Sequence, residues 1–267
     1  MISIILILLF VFSVLSVPVC HGVISGLYLY GMKIFPGLFI SFILTNILVR
    51  ILQQKNINNP WILVITGLMT GFPNGAYICS WYNKNNPENR LGDMLAGIIN
   101  IPSPAFLISY VYINILEKCI SLPMFLALTY TPVILCSYMA ILFFRDKDNK
   151  KDNAPHIKND KKLIFHFFEE AVDSSINTAL TLGAYVIIFS VIVNIIMHFS
   201  QSNTAGLLIS YLFEISNGLA IIKNAGIPMN ITVLLTVLLD AFGGVCIIMQ
   251  TKSICSSYIS IKKYIYQ

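Results

Sequence analysis

Charge is scarce in this sequence. Its 267 residues include 12 acidic and 17 basic side chains, 11% in all, where a soluble domain carries roughly 25%. With 57% hydrophobic residues and a mean hydropathy of +0.78, that shortage excludes a soluble globular domain. The chain is an integral membrane protein. Enzyme signatures are missing as well: there is no G-x-S-x-G, H-E-x-x-H, P-loop or G-x-G-x-x-G run. The common nucleophilic, zinc and phosphate-cradling devices are therefore absent. His166 and His198 flank apolar segments rather than enter them, so an intramembrane Ser/His dyad has no candidate. We expect no enzyme and no catalytic residue.

Cysteine gives no framework. Cys20, Cys79, Cys119, Cys136, Cys246 and Cys255 are scattered without a C-x-x-C pair and read as small buried hydrophobes. The four histidines, His21, His156, His166 and His198, lack ligand spacing, so no metal site is expected. No basic patch interleaved with aromatics occurs, and the formal net charge of +5 does not point to nucleic acid. The first charged residue is Lys33, so 1–19 has no basic n-region. It is expected to be a retained transmembrane helix rather than a signal peptide.

The charge that is present is concentrated. Seven Lys or Arg and four Asp fall in 145–162, which the positive-inside rule makes a cytoplasmic loop. A spanning helix needs about 20 apolar residues. The segments 2–19, 35–52, 122–144, 180–198 and 231–249 meet or approach this. Pro36 suits the start of the second of them. The stretch 21–34 reads as a short interfacial piece and 163–179 as an interfacial amphipathic helix. The expected organisation is an N-terminal helix (1–20), a first half (21–144), the loop (145–162) and a second half (163–267). The fold class is an all-α polytopic helical bundle of two repeats containing broken helices or re-entrant hairpins.

The breaks are the informative part. Segment 62–82 is interrupted at Thr70-Gly71-Phe72-Pro73-Asn74-Gly75-Ala76, and 207–222 at Phe213-Glu214-Ile215-Ser216-Asn217-Gly218-Leu219. The two Asn-Gly pairs lie 143 residues apart. A second pair of breaks sits at Asn100-Ile101-Pro102-Ser103-Pro104 and around Asp240 and Gly243-Gly244. Such steps free backbone groups that hydrocarbon cannot satisfy, and they persist only beside buried protein or a wet cavity. Paired breaks in two halves point to a transporter's substrate site.

Asn74, Gly75, Asn100, Ser103, Asn217 and Gly218 lie at these corners, where half-helix N-termini suit an anionic or polar ligand. Gln250 either lines the site or faces a neighbouring helix. The structural alternative is that the Asn and Ser side chains only satisfy broken backbone. Glu214 and Asp240 are acids inside apolar stretches, where an ionisable group defaults to a functional hypothesis. Each either binds a coupling proton or sodium ion or caps a half-helix. Asp93 reads as a first-turn acid at a helix start.

At these corners the chain resembles the sporulation integral membrane proteins of the YlbJ type, which carry nucleoside-recognition (Gate) domains. The matching stretches are GLYLYGMKIFPG (26–37), GFPNGA (71–76), NIPSPAF (100–106), YLFEISNG (211–218) and FGGVCIIMQ (242–250). Ile101-Pro102 and Cys246 depart from the small polar residues expected there, and Asp240 has no counterpart. The resemblance implies two Gate-like halves, distantly related to concentrative nucleoside transporters. It further implies a role in endospore formation, moving dipicolinate from the mother cell toward the forespore. The chain would then sit in the bacterial cell membrane or the mother-cell-derived outer forespore membrane. Its expected partners are the lipid bilayer, a small organic anion and other sporulation membrane proteins or further copies of itself. Two rival readings stand beside this one: a non-transporting scaffold for spore-envelope assembly, and a nucleoside or nucleobase carrier.

The loop assignment is testable by itself. A reporter inserted after Asn149 is expected to be active only if it folds in the cytoplasm. Activity of an exported-only reporter at that position would contradict the assignment.

Overall fold

The computed structural model describes residues 2–55, 59–86, 91–144, 161–200, 209–210, 212–255, 258–260, 262 and 264. Every regular element among them is helical. In order these are α1 (Ile2–Val14), α2 (Ser16–Tyr28), a π-helical stretch (Leu29–Ile34), α3 (Phe35–Lys55), α4 (Pro60–Thr70) and α5 (Asn74–Asn85). They continue with α6 (Leu91–Ile98), α7 (Pro104–Ile115, π-helical from Leu107), α8 (Leu122–Phe144) and α9 (Lys161–Ser200). The last three are α10 (Ile215–Asn224), α11 (Met229–Phe242) and α12 (Gly244–Cys255). Among the described residues three stretches are long and apolar enough to cross a membrane: α8, Phe168–Ser200 of α9, and Met229–Cys255. Ser16–Ile34 with Leu38–Leu52 passes the same test as one span bent by 61°.

Helix α9 is the spine. Gly22 and Gly26 of α2 lie one turn apart and face it, so close that a Cβ on Gly22 would stand 2.5 Å from the Val191 Cα and one on Gly26 2.9 Å from the Ile187 Cα. This is the small-xxx-small device by which membrane helices bring their backbones together. Further along, the Tyr30 hydroxyl donates to the Ala179 carbonyl, Asn46 Nδ2 donates to Ser175 Oγ at 3.0 Å, and Arg50 pairs with Glu170. The chain from α2 to α3 thus runs antiparallel to α9 over most of its length.

Three sequence expectations are corrected here. The stretch 2–19 is not one helix, because the chain leaves helical geometry at Leu15 (φ −96°, ψ 31°). Pro18 explains it: its ring would clash with the carbonyl four residues back, at Val14, and can follow only a fresh helix start. The stretch 21–34 is not an interfacial piece. It continues α2, which crosses the expected boundary at residue 20, and packs on α9 through the two glycines. Finally, 163–179 and 180–198 are one continuous helix. No proline interrupts them, Ser175 and Thr178 return their hydroxyls to carbonyls four residues back, and Glu170 is neutralised by Arg50.

Buried apolar side chains form two clusters. One, around Phe42, Leu107, Phe125, Leu182 and Leu219, lies where α3, α7, α8, α9 and α10 meet. The other, around Leu63, Ile78, Tyr82, Leu95 and Ile99, joins α4, α5 and α6.

Gly22→Leu is expected to lower stability in detergent by about 1–3 kcal/mol through overpacking, read by thermal melting. Gly31→Ala, where a Cβ meets nothing within 4 Å, should melt like the wild type. Equal behaviour of the two would contradict the close α2–α9 contact.

Candidate functional site

The four breaks meet in pairs. Helix α4 stops at Gly71, which has φ 73°, and Phe72-Pro73 is a cis peptide leading into α5. Helix α6 stops at Ile98, and α7 restarts after Ser103, whose Oγ accepts from the Phe106 N–H at 3.3 Å. These two corners are locked together. The Phe72 N–H donates to the Ile101 carbonyl at 2.9 Å, and Asn100 Oδ1 accepts from the Ala76 N–H at 3.2 Å. Asn100 Nδ2 donates to Thr251 Oγ1 at 3.1 Å and to the Tyr264 hydroxyl at 2.7 Å. A Cβ on Gly75 would stand 2.6 Å from the Ile99 carbonyl oxygen, and one on Gly71 would strike Ser103. Glycine is required at both because backbone meets backbone.

In the second half, α10 starts at Glu214. Its backbone is extended (φ −143°, ψ 124°), and its carboxylate accepts from the Asn217 N–H at 2.7 Å, an N-cap that satisfies a terminal donor. Between α11 and α12 the chain turns at Gly243, in left-handed geometry, and Gly244 (φ 83°). A Cβ on Gly244 would stand 3.2 Å from the Leu212 carbonyl oxygen, so this turn abuts the start of α10. In both halves the Asn-Gly step is not itself the break. Asn74-Gly75 and Asn217-Gly218 occupy the first turn of the half-helix that follows, and the chain departs from helix at Gly71–Pro73 and at Glu214.

The corners enclose one small cavity. Ser103, Glu214, Ser216 and Gln250 line it, with Phe72 and Tyr30 among its apolar and aromatic walls. Its volume is about 20 Å³, enough for one water. Ile34, Leu38, Ser103 and Phe106 also line an open groove of about 620 Å³ on the outer side, so a single layer of side chains divides the two spaces.

The sequence-derived site residues therefore separate into groups. Ser103, Glu214 and Gln250 are brought together at the cavity. Asn74, Gly75 and Asn100 form the layer behind it. Asn217 turns away, its Nδ2 donating to Ser190 Oγ at 3.1 Å, and lines a different groove of about 330 Å³ with Asn194 and Asn224. Gly218 is buried in α10 behind it. Asp240 does not line the cavity either. It is 1% exposed on α11, and among the described residues neither carboxylate oxygen has a hydrogen-bond partner. Thr236, one turn earlier on the same face, is likewise buried with an unpartnered Oγ.

Two site residues went unnoticed in the sequence. Ser216 lines the cavity with a buried side chain beside the Glu214 carboxylate; its place inside the Glu214–Gly218 motif was the available signal. Lys33 lines the 620 Å³ groove; its signal was that it is the sole charged residue before Arg50. Outside the bundle, Lys223 donates to the Asn114 carbonyl at 2.6 Å and pairs with Glu117 at 2.8 Å. That ammonium holds the Glu117 carboxyl below its ordinary range. The pair fastens the end of α10 to the α7–α8 turn.

No family model matches the chain, and neither a curated protein nor a solved structure matches it.

Asn100→Leu is expected to cost on the order of 3 kcal/mol, because it strands the buried Ala76 N–H and strips partners from Thr251 and Tyr264. Glu214→Gln keeps an acceptor for the Asn217 N–H and should stay near wild-type stability. Glu214→Leu should lose about 1–2 kcal/mol of capping. Thermal melting in one detergent ranks all three; Glu214→Gln as unstable as Glu214→Leu would contradict the cap.

Proposed function

We propose that the protein is a transporter or permeation protein for a small organic anion, built from two Gate-like repeats around a midplane site. On the sequence resemblance, the anion is dipicolinate, moved from mother cell toward forespore. The observation that carries this reading is the convergence of three of the four breaks: Phe72, Ser103 and Glu214, joined by Gln250 from the helix after the fourth, face one cavity. Pairing of corner with corner inside each half supports the repeat. Discontinuous helices facing each other are the usual construction of a transporter's substrate site.

At about 20 Å³ the cavity is far below the roughly 300 Å³ that a small-molecule site takes. Transport then requires the corners to separate, and the thin layer of Ile34, Leu38 and Phe106 is the natural gate toward the groove. The Ser216 hydroxyl and the Gln250 amide, both on the cavity wall, would meet the substrate. Glu214 and Asp240 divide the acidic work. Glu214 already holds α10 together, whereas Asp240 has both oxygens unclaimed. Asp240 is therefore the better carrier of a coupling proton or sodium ion, a role buried membrane acids commonly take.

Proteoliposomes containing the full chain should take up labelled dipicolinate, unlabelled dipicolinate should compete, and uridine should not. Asp240→Asn, at equal abundance, should abolish gradient-driven accumulation while leaving downhill exchange. Competition by uridine would move the nucleoside reading ahead. Absence of flux for every solute tried would favour a scaffold, in which the corners serve packing alone.

A further inference from the structure

Lys33 stands where an unpaired cation is costly. Tyr30, one turn before it, packs its ring on Gly183 and bonds the Ala179 carbonyl. Lys33 itself lies inside Ser16–Ile34, which with Leu38–Leu52 passes as one bent apolar span, and shares that span with a single other Lys or Arg, Arg50. It is nonetheless exposed, on the wall of the 620 Å³ groove, and makes no ion pair among the described residues. Lys223, which donates to the carbonyl of the groove residue Asn114, is already paired with Glu117. The groove's lining includes Ser103, together with Ser109 and Tyr110, whose hydroxyls donate to the Ala105 and Ser216 carbonyls, and no carboxylate is among the lining residues.

We propose that this groove is an anion-binding site in which Lys33 pairs with a carboxylate or phosphate group. The chemistry fits both a small carboxylate solute and an anionic lipid headgroup. The inference deepens the transport reading, because the anion would wait one side-chain layer from the closed cavity, sharing Ile34, Leu38, Ser103 and Phe106 with it. Lys33 is then the residue that selects charge, while the cavity residues select shape. An ionisable residue inside an apolar span is by default a functional-site hypothesis.

The test is binding, independent of flux. Full-length protein in phosphatidylcholine nanodiscs is titrated calorimetrically with pyridine-2,6-dicarboxylate, and with neutral uridine as the control probe. In parallel, retention of phosphatidylglycerol is read by native mass spectrometry. Lys33→Met should weaken dicarboxylate binding roughly tenfold or more, as expected for loss of a charge-assisted contact. Lys33→Arg should restore most of it. Lys33-dependent retention of phosphatidylglycerol, with no dicarboxylate binding, would support the site and assign it to lipid. If Lys33→Met changes neither anion's binding while its melting matches wild type, the proposal is overturned. Lys33-dependent binding without dipicolinate flux would sink the transport reading and leave the site standing. Flux with binding indifferent to Lys33 would do the reverse.

Discussion

Backbone that leaves a helix inside a membrane must find hydrogen-bond partners in the protein, and here the breaks find them in one another. The Phe72 N–H meets the Ile101 carbonyl, and the Asn100 side chain bridges from the Ala76 N–H to Thr251 and Tyr264. Hydrocarbon offers nothing to such groups, and each one stranded would cost several kcal/mol. That constraint fixes the glycines at 71 and 75, the order of the half-helices and the buried amide at their crossing. It also explains why polar residues gather at the bundle's centre rather than its edge.

A rigid frame holds this crossing. Helix α9 contacts α2 through paired glycines and α3 through Asn46–Ser175 and Arg50–Glu170. The half-helices α5, α6, α7 and α10 are shorter and end at the corners, so they can shift as units with small backbone changes at a few residues. Opening the cavity would exchange one set of hydrogen bonds for contacts with water and ligand. The Lys223–Glu117 pair, at the far end of α10, sits where such a shift would be felt outside the membrane.

Much of this was legible in the sequence. Low charge and long apolar runs announced a helical membrane bundle. Gly71-Phe72-Pro73, Asn100–Pro104, Glu214 and Gly243-Gly244 marked the breaks because Gly and Pro act locally, through their own dihedrals. Partnership was not legible. Nothing local says that Asn100 reaches Thr251, that Asn217 turns toward Ser190, or that Glu214 caps its own helix while Asp240 stays unpaired. The break at Leu15 follows from Pro18, which apolarity masks, and Gly22 and Gly26 form a packing face only because α9 is there to meet them. Lys33 was passed over because the groove it lines is completed by residues 103–114, some 70 to 80 positions further along the chain.

The central claim is that the breaks at 71–73, 99–103 and 214 form one water-reachable, ligand-responsive locus inside an otherwise sealed bundle. Amide hydrogen exchange in nanodiscs measures it directly, segment by segment. The account predicts faster exchange at 71–76, 99–103 and 212–217 than in the middle of α9, and slower exchange at all three when the transported anion is added. Break segments as protected as the centre of α9, and unmoved by any anion that the protein binds, would contradict it.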